Sequence, residues 1–487
     1  MALKVKAARG VLWSFLEFGG GEGISFVVFL ILARLVAPED FGVVSLAGVF
    51  VALVQVFLNQ GFSDAVIQRE ELTPDHCSTA FWSNVAVAVT FFLLTLAGAD
   101  LIAAAFGQPR LAPVLRWLSL VFVSTGLISI HQAVFKRELQ FASFAMRALV
   151  GITAGGIVGV VMALHGYGVW SLVGQQLANG AASIIVLWST SEWRPRLRFS
   201  PRCFREMAGF SANVIGSNLI GFLYKKLDVF LIGFFFSAEL LGYYYLVQRL
   251  LMTMGLLTLS TVQSIVMPVL SRLQHDQGRF RYVFAQTIQL VHSVWLPVVL
   301  GMGLVASPLI PLLFGAKWQP SILLMEIMSL NAFFAVFSVF SGQVLYAAGR
   351  PESHFRLSLV QVVVTAAVFL PMTYFGLTGV AISNALATAI VAPLHLYILR
   401  RDTGIDPVAV LRGCRAPTLA AIAMAAAVLG LKGVALETLS PVAALTLLVT
   451  TGAAVYIGVL ALLAPDLVRR VISLVESALG RQPITAP

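Results

Sequence analysis

Only three of the 487 residues are cysteine, Cys77, Cys203 and Cys414, too few for a disulfide framework and in no zinc-binding spacing. Charge is scarce as well: 11% of residues are Asp, Glu, Lys or Arg, against roughly 25% in a soluble globular chain. The sequence lacks a glycine-rich phosphate loop and a nucleophile elbow, which argues against an ATP-driven pump or a hydrolase. His131, His292 and His395 fall at different depths with no ligand spacing, so no metal site and no cofactor is expected.

What the chain has instead is apolar length. Hydrophobic residues make up 59% of it and mean hydropathy is +0.91, the composition of a membrane protein. A helix needs about 20 mostly apolar residues to cross a hydrocarbon core about 30 Å thick. Fourteen such runs lie between charge clusters and Pro/Gly breaks: 11–36, 41–65, 79–99, 112–134, 141–163, 168–190, 207–236, 241–267, 283–306, 321–347, 354–375, 379–399, 416–435 and 442–464. The basic segment before the first run resembles the start of a signal peptide, but the run is too long and lacks a small-residue cleavage site, so it counts as span 1. The expected fold is an all-α polytopic membrane protein of about 14 transmembrane helices.

The placement of Lys and Arg orients these spans, because cytoplasmic loops carry the excess. With the N-terminus inside, 24 of the 32 basic residues fall on the cytoplasmic side, among them Lys136, Arg137, Arg147 and the run Arg194, Arg196, Arg198, Arg202, Arg205. The opposite side receives Arg34, Arg110, Arg116, Lys317 and Lys432, while Lys225, Lys226 and Arg249 fall within spans. The net charge of +10 is therefore a topology signal and not a nucleic-acid footprint, and both termini are expected in the cytoplasm. All three cysteines land on that reducing side.

The chain also repeats itself. Ala37-Pro38-Glu39-Asp40-Phe41-Gly42 recurs 200 residues later as Ser237-Ala238-Glu239-Leu240-Leu241-Gly242, and Leu101-Ile102 with Phe106-Gly107 recurs as Leu309-Ile310 with Phe314-Gly315. Ser119-Leu120 matches Ser329-Leu330, Gln132-Ala133-Val134-Phe135 loosely matches Gln343-Val344-Leu345-Tyr346, and Gly168-Val169 matches Gly379-Val380. Coincidences would not keep their order with a slowly growing offset. Each copy holds six spans, an even number, so the two are parallel repeats. The expected division is an N-terminal lobe 1–190, an Arg-rich cytoplasmic linker 191–206, a C-terminal lobe 207–400, appended spans over 401–464 and an amphipathic cytoplasmic tail 465–487.

Four stretches carry a family resemblance: LARLVAPEDFGVVSLA (32–47), NQGFSDAVIQRE (59–70), FGQPRLAPVLRWLSL (106–120) and HQAVFKRELQF (131–141). Their order and spacing resemble the Wzx and colanic-acid-exporter-like flippases of the multidrug/oligosaccharidyl-lipid/polysaccharide superfamily. The resemblance implies two six-helix lobes around a central cavity. It implies an inner-membrane transporter, not an enzyme, that moves undecaprenyl-diphosphate-linked sugar repeat units to the outer leaflet for exopolysaccharide or lipopolysaccharide synthesis. The implied partners are that lipid-linked oligosaccharide, membrane lipids and polysaccharide polymerase machinery, with no nucleic acid. The driving force is left open between H⁺ and Na⁺ gradients. An ion-coupled multidrug or organic-cation antiporter of the same superfamily is the alternative. A membrane-embedded glycosyltransferase or polymerase would need long extracytoplasmic loops, and here these run from a few to about fifteen residues.

Ionisable groups within spans are costly and mark candidate sites. Span 7 carries Lys225, Lys226 and Asp228 near mid-depth, with Ser211, Asn218 and Lys225 seven residues apart on one face; Arg249 follows in span 8. Lys225, Lys226, Arg249 and Asn218 are the expected substrate contacts, because a diphosphate needs opposing positive charge. Span 1 is the repeat partner of span 7 and holds Glu17, Glu22 and glycines 19, 20, 21 and 23. Glu22 and Asp228 are the expected gating or coupling carboxylates, and Gly20 and Gly21 mark either a hinge or close helix packing. Asp64 reads as interfacial, Glu326 as a first-turn carboxylate on a helix dipole, and Tyr243, Tyr244 and Tyr245 as an aromatic belt.

Overall fold

The computed structural model describes residues 19–59, 61–138 and 140–478, and every regular element among them is helical. The chain is an all-α, multi-pass membrane protein. Its first compact unit, Met1–Tyr245, contains α1 (Gly21–Leu35), α2 (Pro38–Asn59), α3 (Phe62–Gln68), α4 (Pro74–Ala105), α5 (Leu111–Leu118), α6 (Leu120–Arg137), α7 (Phe141–Leu164), α8 (Val169–Thr190) and α9 (Pro201–Phe235). Helix α10 (Ala238–Arg272) begins there and continues into the second unit, Leu246–Pro487. That unit adds α11 (Gln277–Leu304), α12 (Ala306–Phe314), α13 (Ser321–Ser329), α14 (Ala332–Ala347), α15 (Pro351–Met372), α16 (Gly376–Thr403), α17 (Pro407–Gly413), α18 (Arg415–Thr438), α19 (Pro441–Leu463) and α20 (Pro465–Ala478).

Among the described residues, every expected span from 41–65 onward is helical over most of its length, with breaks inside 41–65, 112–134 and 321–347. Residues 1–18, with Glu17, Lys4, Lys6 and Arg9, lie outside the described residues, as does the end of the tail from 479. Eight described helical stretches are long and apolar enough to cross a membrane, or nine if α13 and α14, bent by 63°, form one. Boundaries were legible because proline opens α2, α4, α9, α15, α17, α19 and α20, where its missing N–H costs nothing. The expected division at 191–206 follows the sequence repeat, whereas compactness divides the chain inside α10.

The repeat has the same local geometry in both copies. Before each motif helix the backbone is extended, at Val36 (φ −96°, ψ 146°) and Phe236 (φ −129°, ψ 172°), and each N–H donates four residues back, to Leu32 and Ile232. The breaks between α5 and α6 and between α13 and α14 fall at the matched Ser119-Leu120 and Ser329-Leu330. One match shifts: Gly168 (φ 54°, ψ −124°) finds its conformational equivalent in Gly376 (φ 58°, ψ −135°), not in Gly379. Both glycines turn the chain into a helix through a backbone region that side chains disfavour. Gly379 is three residues further on, inside α16.

Two expectations are corrected here. Glu326 complements no helix dipole in a first turn; it sits in the second turn of α13, and Lys432 Nζ of α18 binds its carboxylate at 2.9 Å. Tyr244 is 1% exposed and belongs to the core, not to a surface belt. Tyr245 likewise packs inward, stacked on Phe41 at 6.0 Å and edge-on to Phe29 at 6.2 Å. The histidines are buried in different helices: His131 meets Ser191 Oγ at 3.1 Å, His292 meets Thr418 at 3.3 Å and His395 meets Ser341 at 2.5 Å.

Candidate functional site

The first unit encloses a polar cavity of about 360 Å³. Four helices build it: Gln55 and Asn59 from α2, Ser63, Asp64 and Ile67 from α3, Thr125, Ile128, Ser129, Gln132, Ala133 and Lys136 from α6, and Arg147 from α7. It lies at the end of the unit where α3 ends and α6 hands over to α7. This is the same end as the basic loops.

The break between α2 and α3 makes the wall. Helix α2 stops at Asn59, which frees the Leu58 carbonyl from the helical ladder. Ser63 Oγ donates to it at 3.3 Å and Asn84 Nδ2 at 3.0 Å, and Asn84 also donates to Ser129 Oγ at 2.9 Å. Beyond the cavity, Arg137 caps α3: Nη1 donates to the Val66 and Ile67 carbonyls at 3.0 and 3.3 Å and to that of Arg69, and Nη2 to that of Glu70 at 3.0 Å. A guanidinium suits a helix C-terminus, where carbonyls lack partners and the dipole is negative.

The cavity holds two cations and one carboxylate. Phe144 brings the cations together: Lys136 Nζ stands 5.2 Å from its ring centroid and the Arg147 guanidinium carbon 5.0 Å. Each cation is attracted by the ring face, but two like charges on one ring repel. Asp64 feels the Lys136 charge, and Gln55, Asn59, Gln132 and the hydroxyls of Ser63, Thr125 and Ser129 supply hydrogen bonds of both polarities.

The expected site residues are arranged differently. Asn218, Lys225, Lys226 and Asp228 lie on α9 and do not line this cavity. Lys225 is exposed, while Lys226 and Asn218 are half-buried; Ser211, on the same expected stripe, is buried. Asp228 accepts from the Tyr244 hydroxyl and from the Val229 N–H at 2.8 Å. Among the described residues, Lys225 and Lys226 are in no ion pair. Arg249 is half-buried on the part of α10 that belongs to the second unit. Glu22 is half-buried in the first turn of α1, after a π-helical turn at Gly19 and Gly20. A methyl at Gly20 would meet Leu149 at an ordinary 3.7 Å, and one at Gly21 would meet Ile152 at 3.3 Å. The run thus combines a local break in the helix with packing against α7.

Helix α9 is tied to this end of the unit by Glu206. Its carboxylate pairs with Arg69, accepts from His76 Nε2 at 3.2 Å and takes Arg202 Nε at 2.9 Å. The Thr73 N–H donates to His76 Nδ1 at 3.3 Å, with the Thr73 hydroxyl 2.7 Å from the same nitrogen, an arrangement that suits the tautomer with its proton on Nε2. The His76 bond, with Arg202 and Arg69, pulls the Glu206 pKa down to about 2.

Sequence reasoning missed Lys136 and Arg147 because both count as loop cations, and Asp64 because it was placed at the interface; the cavity holds all three. A signal existed: Thr125, Ser129, Gln132 and Lys136, spaced four, three and four, form one polar face of α6, and Gln55, Asn59 and Ser63 repeat every four residues.

A family model described as "Polysaccharide biosynthesis protein" matches residues 31–323. The chain is 27% identical over 312 residues to the succinoglycan biosynthesis transport protein ExoT of Rhizobium meliloti, a match over 64% of this chain and 63% of that protein, so slightly less than two thirds of that relative is spanned. It is 23% identical over 402 residues to the lipopolysaccharide biosynthesis protein WzxC of Escherichia coli, covering 82% of this chain and 80% of WzxC. In fold it is similar to the lipid II flippase MurJ in an inward closed conformation, with a TM-score of 0.75 at 15% identity over 94% of this chain and 100% of that one.

Proposed function

Because the chain belongs to the polysaccharide biosynthesis protein family, we propose that it is a flippase for lipid-diphosphate-linked oligosaccharide repeat units. It passes them from the cytoplasmic to the outer leaflet of the bacterial inner membrane by alternating access of its two repeats, for exopolysaccharide or lipopolysaccharide assembly. Both termini face the cytoplasm in this reading, which rests on the basic loops. The chain transports and performs no catalysis. The polymerase machinery that would use the flipped units is a further proposed partner, and an H⁺ or Na⁺ gradient is the proposed driving force.

The observation that carries the proposal is the convergence of Lys136 and Arg147 on Phe144 at a cavity whose other polar lining is amides, hydroxyls and the single carboxylate of Asp64. A diphosphate takes the two cations, and the polar wall meets sugar hydroxyls. An organic-cation antiporter would reverse the charge balance, with carboxylates in excess. Lys225 and Lys226 offer a second basic pair, to which we assign a weaker hold because neither lines this cavity. Glu22 and Asp228, with Gly20 and Gly21, are proposed gating and coupling positions, and Asn218 and Arg249 further proposed substrate contacts.

In cells, Lys136→Gln with Arg147→Gln should lower polymer export and cause lipid-linked repeat units to accumulate in the inner leaflet at unchanged protein level. Undiminished export from this variant would overturn the assignment of the cavity.

A further inference from the structure

The segment joining α8 to α9 has no helix of its own before Pro201, yet its backbone is fixed to α4. Trp82 Nε1 donates to the Arg196 carbonyl at 2.8 Å, the Arg196 N–H donates to Ser78 Oγ at 3.2 Å, and the Ser200 N–H donates to Thr79 Oγ1 at 3.1 Å. One arginine of the segment and one from the first turn of α9 are occupied locally. Arg194 donates to the carbonyls of Ser191, Trp193 and Trp188 and lies 6.0 Å from the Trp188 ring, and Arg202 pairs with Glu206 at 2.9 Å. Arg196, Arg198 and Arg205 are exposed, and among the described residues none of them is in an ion pair. Between them stand Leu197, 89% exposed, and Phe199, 53% exposed.

An arginine excess on this side is ordinary for a membrane protein. A backbone pinned so that a leucine and a phenylalanine point outward among three arginines is not, because apolar side chains held in water forgo their burial. The strap lies between two expected spans, 168–190 and 207–236, and therefore at the level of lipid headgroups. There the apolar pair meets acyl chains, and the arginines bury their stems while presenting guanidinium groups to phosphate. Basic clusters directly beside a membrane helix attract anionic lipid, and the attraction falls off within a Debye length.

We propose that residues 196–205 form a binding site for anionic phospholipids of the leaflet on which the basic loops lie. Arg196, Arg198 and Arg205 hold headgroup phosphates, and Leu197 and Phe199 enter the acyl boundary. The site is separate from the substrate cavity and stands whether or not the flippase assignment holds.

The test uses the full-length purified chain in a neutral detergent, with the melting temperature followed as phosphatidylglycerol, phosphatidylcholine or inorganic phosphate is added. Phosphatidylglycerol should raise the melting temperature, and the other two should not. The rise should vanish in R196Q/R198Q/R205Q, shrink in L197N/F199N, and persist in R196K/R198K/R205K and in the distant control R412Q/R415Q. An equal rise with phosphatidylcholine, a rise reproduced by inorganic phosphate, or a rise that survives the triple Gln change would overturn the proposal. If the Gln variant folds poorly, the Lys variant decides, since charge alone should keep most of the effect. A wild-type chain indifferent to phosphatidylglycerol whose export nevertheless fails in L197N/F199N would point to a protein partner and also overturn it.

Discussion

Three side chains set the charge of the cavity, and each has a distinct expected phenotype. A charge-assisted hydrogen bond contributes about 1.5–3 kcal/mol, so Lys136→Gln and Arg147→Gln should each weaken headgroup binding roughly tenfold or more. Asp64→Asn removes the one carboxylate among the lining residues and should tighten binding of a diphosphate analogue, whereas in an organic-cation carrier it would abolish binding. Titration of the purified chain with the analogue separates the two. Away from the cavity, Tyr244→Phe deletes a hydroxyl bonded to Asp228. It should lower stability by about 1–3 kcal/mol, and Asp228→Asn should restore part of the loss. If Lys225 and Lys226 act only on Asp228, their joint change to Gln should likewise harm folding and be repaired by Asp228→Asn; if they hold substrate, export should fall in a folded protein.

The helices that carry the two copies of the repeated motif cross closely. A methyl on Gly42 would lie 1.7 Å from the Ala238 carbonyl oxygen, and one on Gly242 would lie 1.9 Å from that of Pro38. The contact is reciprocal: each motif glycine receives the first turn of the other motif's helix, at the end of α2 remote from the cavity. Overpacking such a crossing costs typically 1–3 kcal/mol and sometimes more. Gly42→Ala and Gly242→Ala should therefore both cut the yield of monodisperse protein, while Gly20→Ala, with 3.7 Å of room, should not. Normal transport with both Gly20 and Gly21 replaced by Ala would assign the glycine run to packing and not to a hinge. At the other end, Glu206 holds α9 to Arg69 and His76. Its folded pKa of about 2 lies below its ordinary value, so its stabilisation is fully present above the ordinary carboxylate range and is lost only as pH falls towards about 2. Glu206→Gln should accordingly lower the melting temperature by the same amount at pH 7 and at pH 6, and a gap that closes over that interval would contradict the assignment.

Across the whole molecule, what the sequence revealed and what it concealed follow from the range of the interactions. Spans were visible because crossing a bilayer demands long apolar runs, and their ends because proline and the repeated motifs punctuate them. The repeat was visible through Gly42 and Gly242, whose crossing tolerates no side chain. The cavity was hidden for the opposite reason. Its cations come from α6 and α7, its carboxylate from α3 and its amides from α2, and only Phe144 shows that Lys136 and Arg147 converge. Counted one at a time, they look like positive-inside loop charges. Orientation can be read by labelling: Cys203 is buried, so a cysteine introduced at the exposed Leu197 is the better reporter. It should label only from the cytoplasmic side.

The central claim is translocation of a lipid-diphosphate-linked sugar. Its most direct test is reconstitution of the purified chain into vesicles that carry such a lipid on the inner leaflet, followed by the rate at which the sugar becomes accessible to an external glycosidase. The account predicts a faster appearance with the wild-type chain than with empty vesicles, and a rate returned to background by Lys136→Gln with Arg147→Gln. Vesicles that accumulate an organic cation against its gradient while the sugar stays protected would contradict it.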